Sequence, residues 1–454
     1  MQYLKNNELQ VSALSKLYIW SILFEPLTYF LVVPQNISGI GGNISRVFQL
    51  IVLILLFIKV LFSLKIRFSS PFSSFSRIFS YYYIYIIVIG IIGWITGSYS
   101  YYQDSGLISG NSLFFSNFVN SYHFRPFFEY FIALYYFVYF VVLAQYMLSK
   151  KGGIDYFFKY FNVLFLICIF IGFIDLFLIV SFNPEYQGLG RHIADSSFPG
   201  NRFHGIAGEP RDAFVYLILS IGIFTIRDYW IKQKKLNHVW LLVIFIAIYL
   251  CQAFSGIIGI IFSAGLITIF YLPRLSPIKL ISSIFLFFLS ILIIILNVKY
   301  SIRMSAYYDA LISVYQTLND GQSVNTVIKV SMNNIFPIWH LWLEVRELNF
   351  YHLFFGNGLG SSSVINNYYF NEPGILNPNA AVIRILYESG IIGIFIFIFA
   401  FITPLKRLDL NYKIYNKLKF LMLIILGVYF SHRSVAPYLF LGITLVVFRY
   451  KLDE

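Results

Sequence analysis

Apolar runs close to 20 residues long recur along the 454-residue chain, separated by polar stretches that are mostly short. They predict helical spans at roughly 12–33, 46–64, 79–97, 126–148, 157–181, 207–226, 239–254, 257–272, 280–298, 390–404, 418–431 and 434–449. Each is near the ~20 residues a helix needs to cross a hydrocarbon core of about 30 Å. Helices are expected there because lipid cannot satisfy free backbone N–H and C=O groups. A β-barrel is excluded, since the run IVLILLFIKVLF from Ile51 does not alternate as barrel strands do. The expected fold class is therefore an all-α polytopic integral membrane protein of about 12 transmembrane helices, forming one membrane domain. Residues 1–298 hold the first nine spans, with a shorter basic outer loop at about 182–212. Residues 299–389 form a large outer loop, and 390–454 hold the last three spans. Within the large loop, VNTVIKVSMNNIF from Val324 and WHLWLEVREL from Trp339 have helical spacing, with Pro337 between them.

Composition agrees with lipid as the solvent. The chain is 59% hydrophobic and 12% charged, against about 45–50% and about 25% in soluble domains. The formal charge of +13 would suggest nucleic acid in a soluble protein, so its sidedness decides. Alternate loops hold Lys5 and Lys16; Lys65, Arg67 and Arg77; Lys150 and Lys151; Arg227, Lys232, Lys234 and Lys235; Arg274 and Lys279; Lys406, Arg407, Lys413, Lys417 and Lys419; and Arg449 and Lys451. The opposite short loops hold only Arg46, Arg125 and Arg433. The positive-inside rule puts both termini in the cytoplasm. Most of the charge is then topology, and no nucleic-acid partner is expected. The polar opening MQYLKNNELQ, before a long aromatic run, does not read as a cleavable signal. Cys168 and Cys251 lie in apolar runs and read as core residues.

Three constellations carry candidate chemistry. FPGNRFHGIAGEPRDA, from Phe198, sets Arg202, His204, Glu209 and Arg211 beside glycines just before a span. Arginine offers a planar fork of donors suited to phosphate oxygens, and glycine lets backbone approach a ligand. The bland alternative is a turn whose arginines snorkel to headgroups. LFFGNGLGSSS, from Leu353, has the look of a phosphate-cradling loop but no preceding strand, and taken alone reads as a tight turn. LNPNAAVIRILYESGIIGIF, from Leu376, offers Asn379 as a helix cap. It also places Arg384 and Glu388 four apart on one helical face, before Gly390 and Gly393. Arg125 and Glu129 have the same spacing and read as a helix-end pair. Asp175 within a span needs a partner. His432 and Arg433 fall in a short outer turn. His192, His340 and His352 lack metal-ligand spacing, and neither metal nor cofactor is expected.

In this order on a multi-span scaffold, these stretches resemble the O-antigen polymerase (Wzy) family, within the group that also contains O-antigen ligases. Arg202, Gly205, Glu209 and Pro210 resemble that group's R-x-x-G-x-x-x-E-P signature. GNGLG, from Gly356 to Gly360, and the E-x-G-x-x-G of Glu388, Gly390 and Gly393 resemble its passage from a late outer loop into a span. The tight pair of spans around Phe254-Ser255-Gly256 fits as well. Ligases of the group carry His-Asn about nine residues before the glutamate. Asn379 and Ala380 stand there instead, which favours polymerase. Some polymerases are described by R-x10-G motifs in outer loops; neither Arg202 nor Arg346 has that spacing, Gly356 falling one residue short from Arg346.

The resemblance implies a glycosyltransferase of a bacterial inner membrane, its active site and large loop periplasmic. It would move a growing glycan from a polyprenyl (undecaprenyl) diphosphate carrier onto an incoming lipid-linked repeat unit. A chain-length regulator is the further partner it admits. Arg191, Arg202, Arg211, Arg303, Arg346, Arg384 and Arg433, with Asn379, are the candidates for binding diphosphate and sugar. Glu209 and Glu388, then His204 and His432, are the candidate bases. Two rivals remain: a ligase moving polymer to a lipid A core, and a flippase or other transporter. The second would show mid-span charges and a repeated half.

Overall fold

The computed structural model describes residues 11–27, 44–63, 72–96, 125–150, 152–181, 202–207, 209–230, 238–251, 253–271, 350–359, 361, 381–408 and 410–450, with a few residues between 309 and 321. The predicted span at 280–298, most of the large loop, and the termini lie outside these residues. Among the described residues every regular element is helical. In chain order they are α1 (Ala13–Phe24), α2 (Ile44–Ser63), α3 (Phe72–Ile95), α4 (Arg125–Phe137), a π-turn (Val138–Val142), α5 (Leu143–Leu148) and α6 (Gly153–Ser181). A 3-10 turn (Gly205–Ala207) leads into α7 (Pro210–Trp230), α8 (His238–Cys251), α9 (Phe254–Tyr271) and the short α10 (Phe350–Phe355). The chain then runs through α11 (Ala381–Lys406), α12 (Tyr412–Ser431) and α13 (Ala436–Tyr450).

Among the described residues, five helical stretches are long and apolar enough to cross a membrane: Glu129–Leu148, Gly153–Leu178, Pro210–Trp230, Ala381–Lys406 and Tyr412–Ser431. Shorter apolar helices stand beside them, Val239–Cys251 and Ala436–Phe448 among them. Their outer faces need lipid. Phe57 is 64% exposed and Phe170 67% exposed, and α2, α3 and α8 each present a row of bare aliphatic and aromatic side chains. Water would charge about 25 cal/mol for each Å² of that surface, whereas hydrocarbon does not.

Local sequence sets the helix ends. Ser12 caps α1 by accepting from the Ser15 amide at 3.2 Å. Pro210 opens α7, where its missing N–H costs nothing. Asn411 accepts from the Lys413 amide at 3.1 Å at the start of α12.

Helix α12 packs antiparallel to α7, and side-chain pairs fix which ends meet. His432, after α12, touches Asp212 at the start of α7, while Lys417 near the start of α12 lies over the Tyr229 ring at the end of α7. Arg384 at the start of α11 meets Glu129 near the start of α4. The starts of α4, α7 and α11 and the end of α12 thus gather at one end of the bundle. The opposite end holds Trp230 on Asp155 and Tyr271 on the Asn416 carbonyl.

Close contact relies on small residues, as expected where lipid removes most of the hydrophobic drive between helices. Gly427 of α12 lies against the Ser263 backbone of α9, and the Ser263 hydroxyl donates to the Ile424 carbonyl at 3.0 Å. A side chain at 427 would strike backbone that cannot swing away. Gly427→Leu is expected to lower stability by about 1–3 kcal/mol through overpacking. Gly90→Ala, where an added Cβ meets nothing within 4 Å, should leave it unchanged or slightly raised. Thermal unfolding of the two purified variants in one detergent checks the contrast.

Candidate functional site

The charged end of the bundle is built from residues that a membrane helix would normally exclude. Arg384 and Glu388 lie one turn apart on α11 and meet at 3.0 Å through Nε and Oε1. The same guanidinium reaches across to α4, where Nη2 lies 2.5 Å from Glu129 Oε2. Side-chain exposure is 7% for Arg384 and lower still for both carboxylates. An ion this deep costs several kcal/mol to desolvate and persists when its partners are close and hydrogen-bonded. Arg433 approaches the same Glu129 oxygen at 3.9 Å. Among the described residues, Arg384 Nη1 is buried with no hydrogen-bond partner, so one donor of this guanidinium stays uncommitted.

Beside this group, His432 Nε2 lies 3.0 Å from Asp212 Oδ1, and Arg211 Nε lies 2.5 Å from Glu209 Oε2. Arg211 and Glu209 are about one-third exposed, whereas His432 and Asp212 are largely buried. Tyrosines pack beneath the charges. Tyr136 contacts Tyr438 at 5.8 Å between ring centroids, Tyr429 stacks on Phe397, and Tyr82 packs edge-on to Phe397.

The two glycine-bearing stretches are in direct contact. At Gly390 the backbone of α11 leaves the helical region, with φ 68° and ψ −174°. The break frees two carbonyls just before it. The Asn357 amide donates to the Tyr387 carbonyl at 2.8 Å, and the Gly358 amide to the Glu388 carbonyl at 3.0 Å. Both glycines that enable this approach have positive φ. A Cβ on Gly390 would run into the Phe354 carbonyl, and one on Gly356 into the backbone joining Glu388 and Ser389. Tyr85 of α3 locks the clasp, its hydroxyl donating to the Ser389 carbonyl at 2.8 Å. The GNG loop therefore holds the backbone of Glu388 itself. Desolvation lowers the pKa of His352, on α10 just before this loop.

Of the residues singled out in the sequence, Glu209, Arg211, Arg384, Glu388, His432 and Arg433 converge on this end. His204 sits apart in the packing of the 3-10 turn on α6, buried, with Nδ1 3.0 Å from the Gly205 carbonyl. Arg202 lies in the same region, close enough to Cys251 to act on it electrostatically. Arg191, Arg303, Arg346 and Asn379 lie outside the described residues. Glu129, read in sequence as a helix-end partner of Arg125, has its carboxylate on Arg384 and near Arg433. Asp212 and Tyr136 drew no notice in the sequence. Asp212 sat within the first constellation, one residue after Arg211, and that was its only signal. Among the described residues no group of three or more His, Cys, Asp or Glu is arranged to hold a metal ion.

The chain matches no family model, no curated protein and no solved structure.

Breaking the ion group on one side leaves buried charge without compensation. Arg384→Met is expected to destabilise the protein by about 3–5 kcal/mol. Adding Glu129→Gln and Glu388→Gln should restore most of that loss, because the whole ionic set is then removed together. Thermal unfolding of the single and triple variants tests the assignment, and an Arg384→Met protein as stable as the parent would overturn it.

Proposed function

We propose that the protein is a polysaccharide polymerase of the O-antigen polymerase type, a metal-independent glycosyltransferase of a bacterial inner membrane. It would cross the bilayer about 12 times with both termini cytoplasmic, as the loop charges suggest. Its substrates would be glycans carried on a polyprenyl diphosphate, met at the periplasmic face. The observation that carries this reading is the convergence of Arg211, Arg384, Arg433, His432 and Glu388, drawn from three chain segments, at one end of an apolar bundle. An ionic cluster at one membrane boundary suits an enzyme working on lipid-linked material at that boundary. A carrier for polar cargo would instead need charged groups along the middle of its spans.

The reaction follows from these groups. The acceptor hydroxyl oxygen attacks the anomeric carbon of the donor glycan. The bond from that carbon to the diphosphate oxygen breaks, and its electron pair leaves with the diphosphate. Arg211 and Arg433, both part-exposed, would meet the growing negative charge with preorganised donors. With Nε2–H donated to Asp212, His432 keeps its Nδ1 lone pair for the acceptor proton, so the aspartate orients the base. Glu209 is the alternative base, being part-exposed. Buried Arg384 would act through position, holding Glu129 and Glu388 in place.

Deleting the gene is expected to collapse the surface polysaccharide ladder to lipid core plus one repeat unit, with recovery on restoring the wild-type gene. His432→Gln should cut polymerisation by about 100-fold or more with the protein still present in the membrane. A ladder unchanged by deletion would set the polymerase reading aside. A full ladder with His432→Gln would remove only the base assignment.

A further inference from the structure

A second polar network lies on the other side of α4. Glu25, at the end of α1, is buried and accepts from the Ser45 hydroxyl at 2.5 Å and Gln49 Nε2 at 2.6 Å. Arg46 at the start of α2 adds an ion pair to the same carboxylate at 2.6 Å. Tyr135 donates its hydroxyl to Gln49 Oε1, which ties α4 into the network. The next residue along α4 joins the two networks. The Tyr136 ring has the Arg46 guanidinium carbon 5.9 Å from its centroid and that of Arg433 at 5.8 Å. Two cations from opposite ends of the sequence thus share one aromatic ring, separated by no more than these two distances laid end to end.

The arrangement has a front and a back. The carboxylates of Glu25, Glu129 and Glu388 are buried, while Arg46 and Arg433 keep 34% and 29% of their side chains exposed. The accessible edge of a network that is neutral overall is therefore cationic. Arg433 is also under-used. Among the described residues it makes no hydrogen bond, its nearest carboxylate oxygen is 3.9 Å away, and that oxygen is already held by Arg384 at 2.5 Å. Arg433, held through an aromatic ring, keeps its in-plane N–H groups available, while Arg46 commits one edge to Glu25 and keeps the remainder. Such a pair matches an anion with oxygens on two sides, which is the chemistry of a phosphate or diphosphate ester at a membrane boundary.

We propose that Arg46 and Arg433, held on the Tyr136 ring, form an anion site that binds the phosphate group of a lipid, with Glu25 positioning Arg46 from behind. The phosphate comes either from a bilayer phospholipid or from an isoprenoid diphosphate. Its isoprenoid-diphosphate form rests on the polymerase reading, which already gives Arg433 the diphosphate; the site itself needs only a phosphate-bearing lipid and no transfer reaction.

The test uses the full-length protein in detergent, titrated with farnesyl diphosphate in a direct binding assay. Saturable binding is expected, weakened about tenfold or more by Arg433→Gln and likewise by Arg46→Gln. Competition identifies the source. Displacement by short-chain phosphatidylglycerol and not by inorganic diphosphate assigns a bilayer headgroup; the reverse assigns an isoprenoid diphosphate. Either result supports a phosphate site. Should Arg46→Gln fail to fold for want of a partner to Glu25, Arg433→Gln alone decides, because it removes no hydrogen bond. No saturable binding to the parent protein, or equal binding by parent and Arg433→Gln, would overturn the site whatever the polysaccharide ladder shows.

Discussion

One buried arginine governs the charged end of this bundle. Arg384 draws Glu388 from its own helix and Glu129 from α4 onto a single guanidinium, at 3.0 Å and 2.5 Å. In a low-dielectric interior neither carboxylate persists as an anion without that cation, and the cation persists only with them. The contact therefore fixes how far α4 and α11 slide past each other. Everything else at that end refers to this register. Arg433 reads the far side of the same Glu129 oxygen, and the neighbouring His432 reaches Asp212 on α7. Four helices are set by one ionic group plus the residues next to its members.

The break at Gly390 extends this constraint into the GNG loop. A helix interrupted there leaves the carbonyls of Tyr387 and Glu388 without their usual donors. Hydrocarbon offers none, so the amides of Asn357 and Gly358 take that role. The loop is then part of the site's wall. Its glycines act through absence: any Cβ at 356 or 390 would occupy space already filled by backbone. The backbone of Glu388 is held by the loop and its side chain by Arg384, which leaves this carboxylate little freedom to reorient.

The helical membrane class was legible from hydropathy alone, because the period and length of the apolar runs admit few other forms. The stretches around Glu209, Gly356 and Glu388 stood out as candidates, since charge is sparse in this chain and glycines cluster there. Their contacts were not legible. That GNG would sit on the carbonyls beside Glu388 depends on a 30-residue separation closing in space, and no spacing rule encodes it. Glu129 carried more than its sequence spacing showed, for a related reason. An i,i+4 neighbour on the same helix is visible in sequence, whereas Arg384, its partner across the helix interface, is not. Tyr136 was invisible among 36 tyrosines; only its position between two guanidiniums distinguishes it. The α1 C-terminus carried a similar blind spot. Glu25 read as the middle of a predicted span, and the helix ends one residue before it.

The aromatic load then acquires a second meaning. Tyrosine in membrane helices serves mostly as packing and as an interface anchor, and most of the rings here do that. Near the charged end they do something that phenylalanine also does and leucine does not: they present a π face to a cation. Arg46 and Arg433 both rest on Tyr136; Arg433 has there a seat that takes none of its N–H donors, while Arg46 is also paired with Glu25 at 2.6 Å. A carboxylate seat would neutralise the charge and occupy those donors, as Glu129 and Glu388 do for Arg384. The two kinds of seat divide the arginines by task. Arg384, clasped by two carboxylates, is buried and sets geometry; Arg46 is shared between Glu25 and the ring; and Arg433, carried on the ring, stays part-exposed and keeps charge and donors at the mouth of the bundle. That division places cationic donors at the edge of an apolar body without leaving buried charge uncompensated, which is the requirement any site for lipid-borne phosphate has to meet.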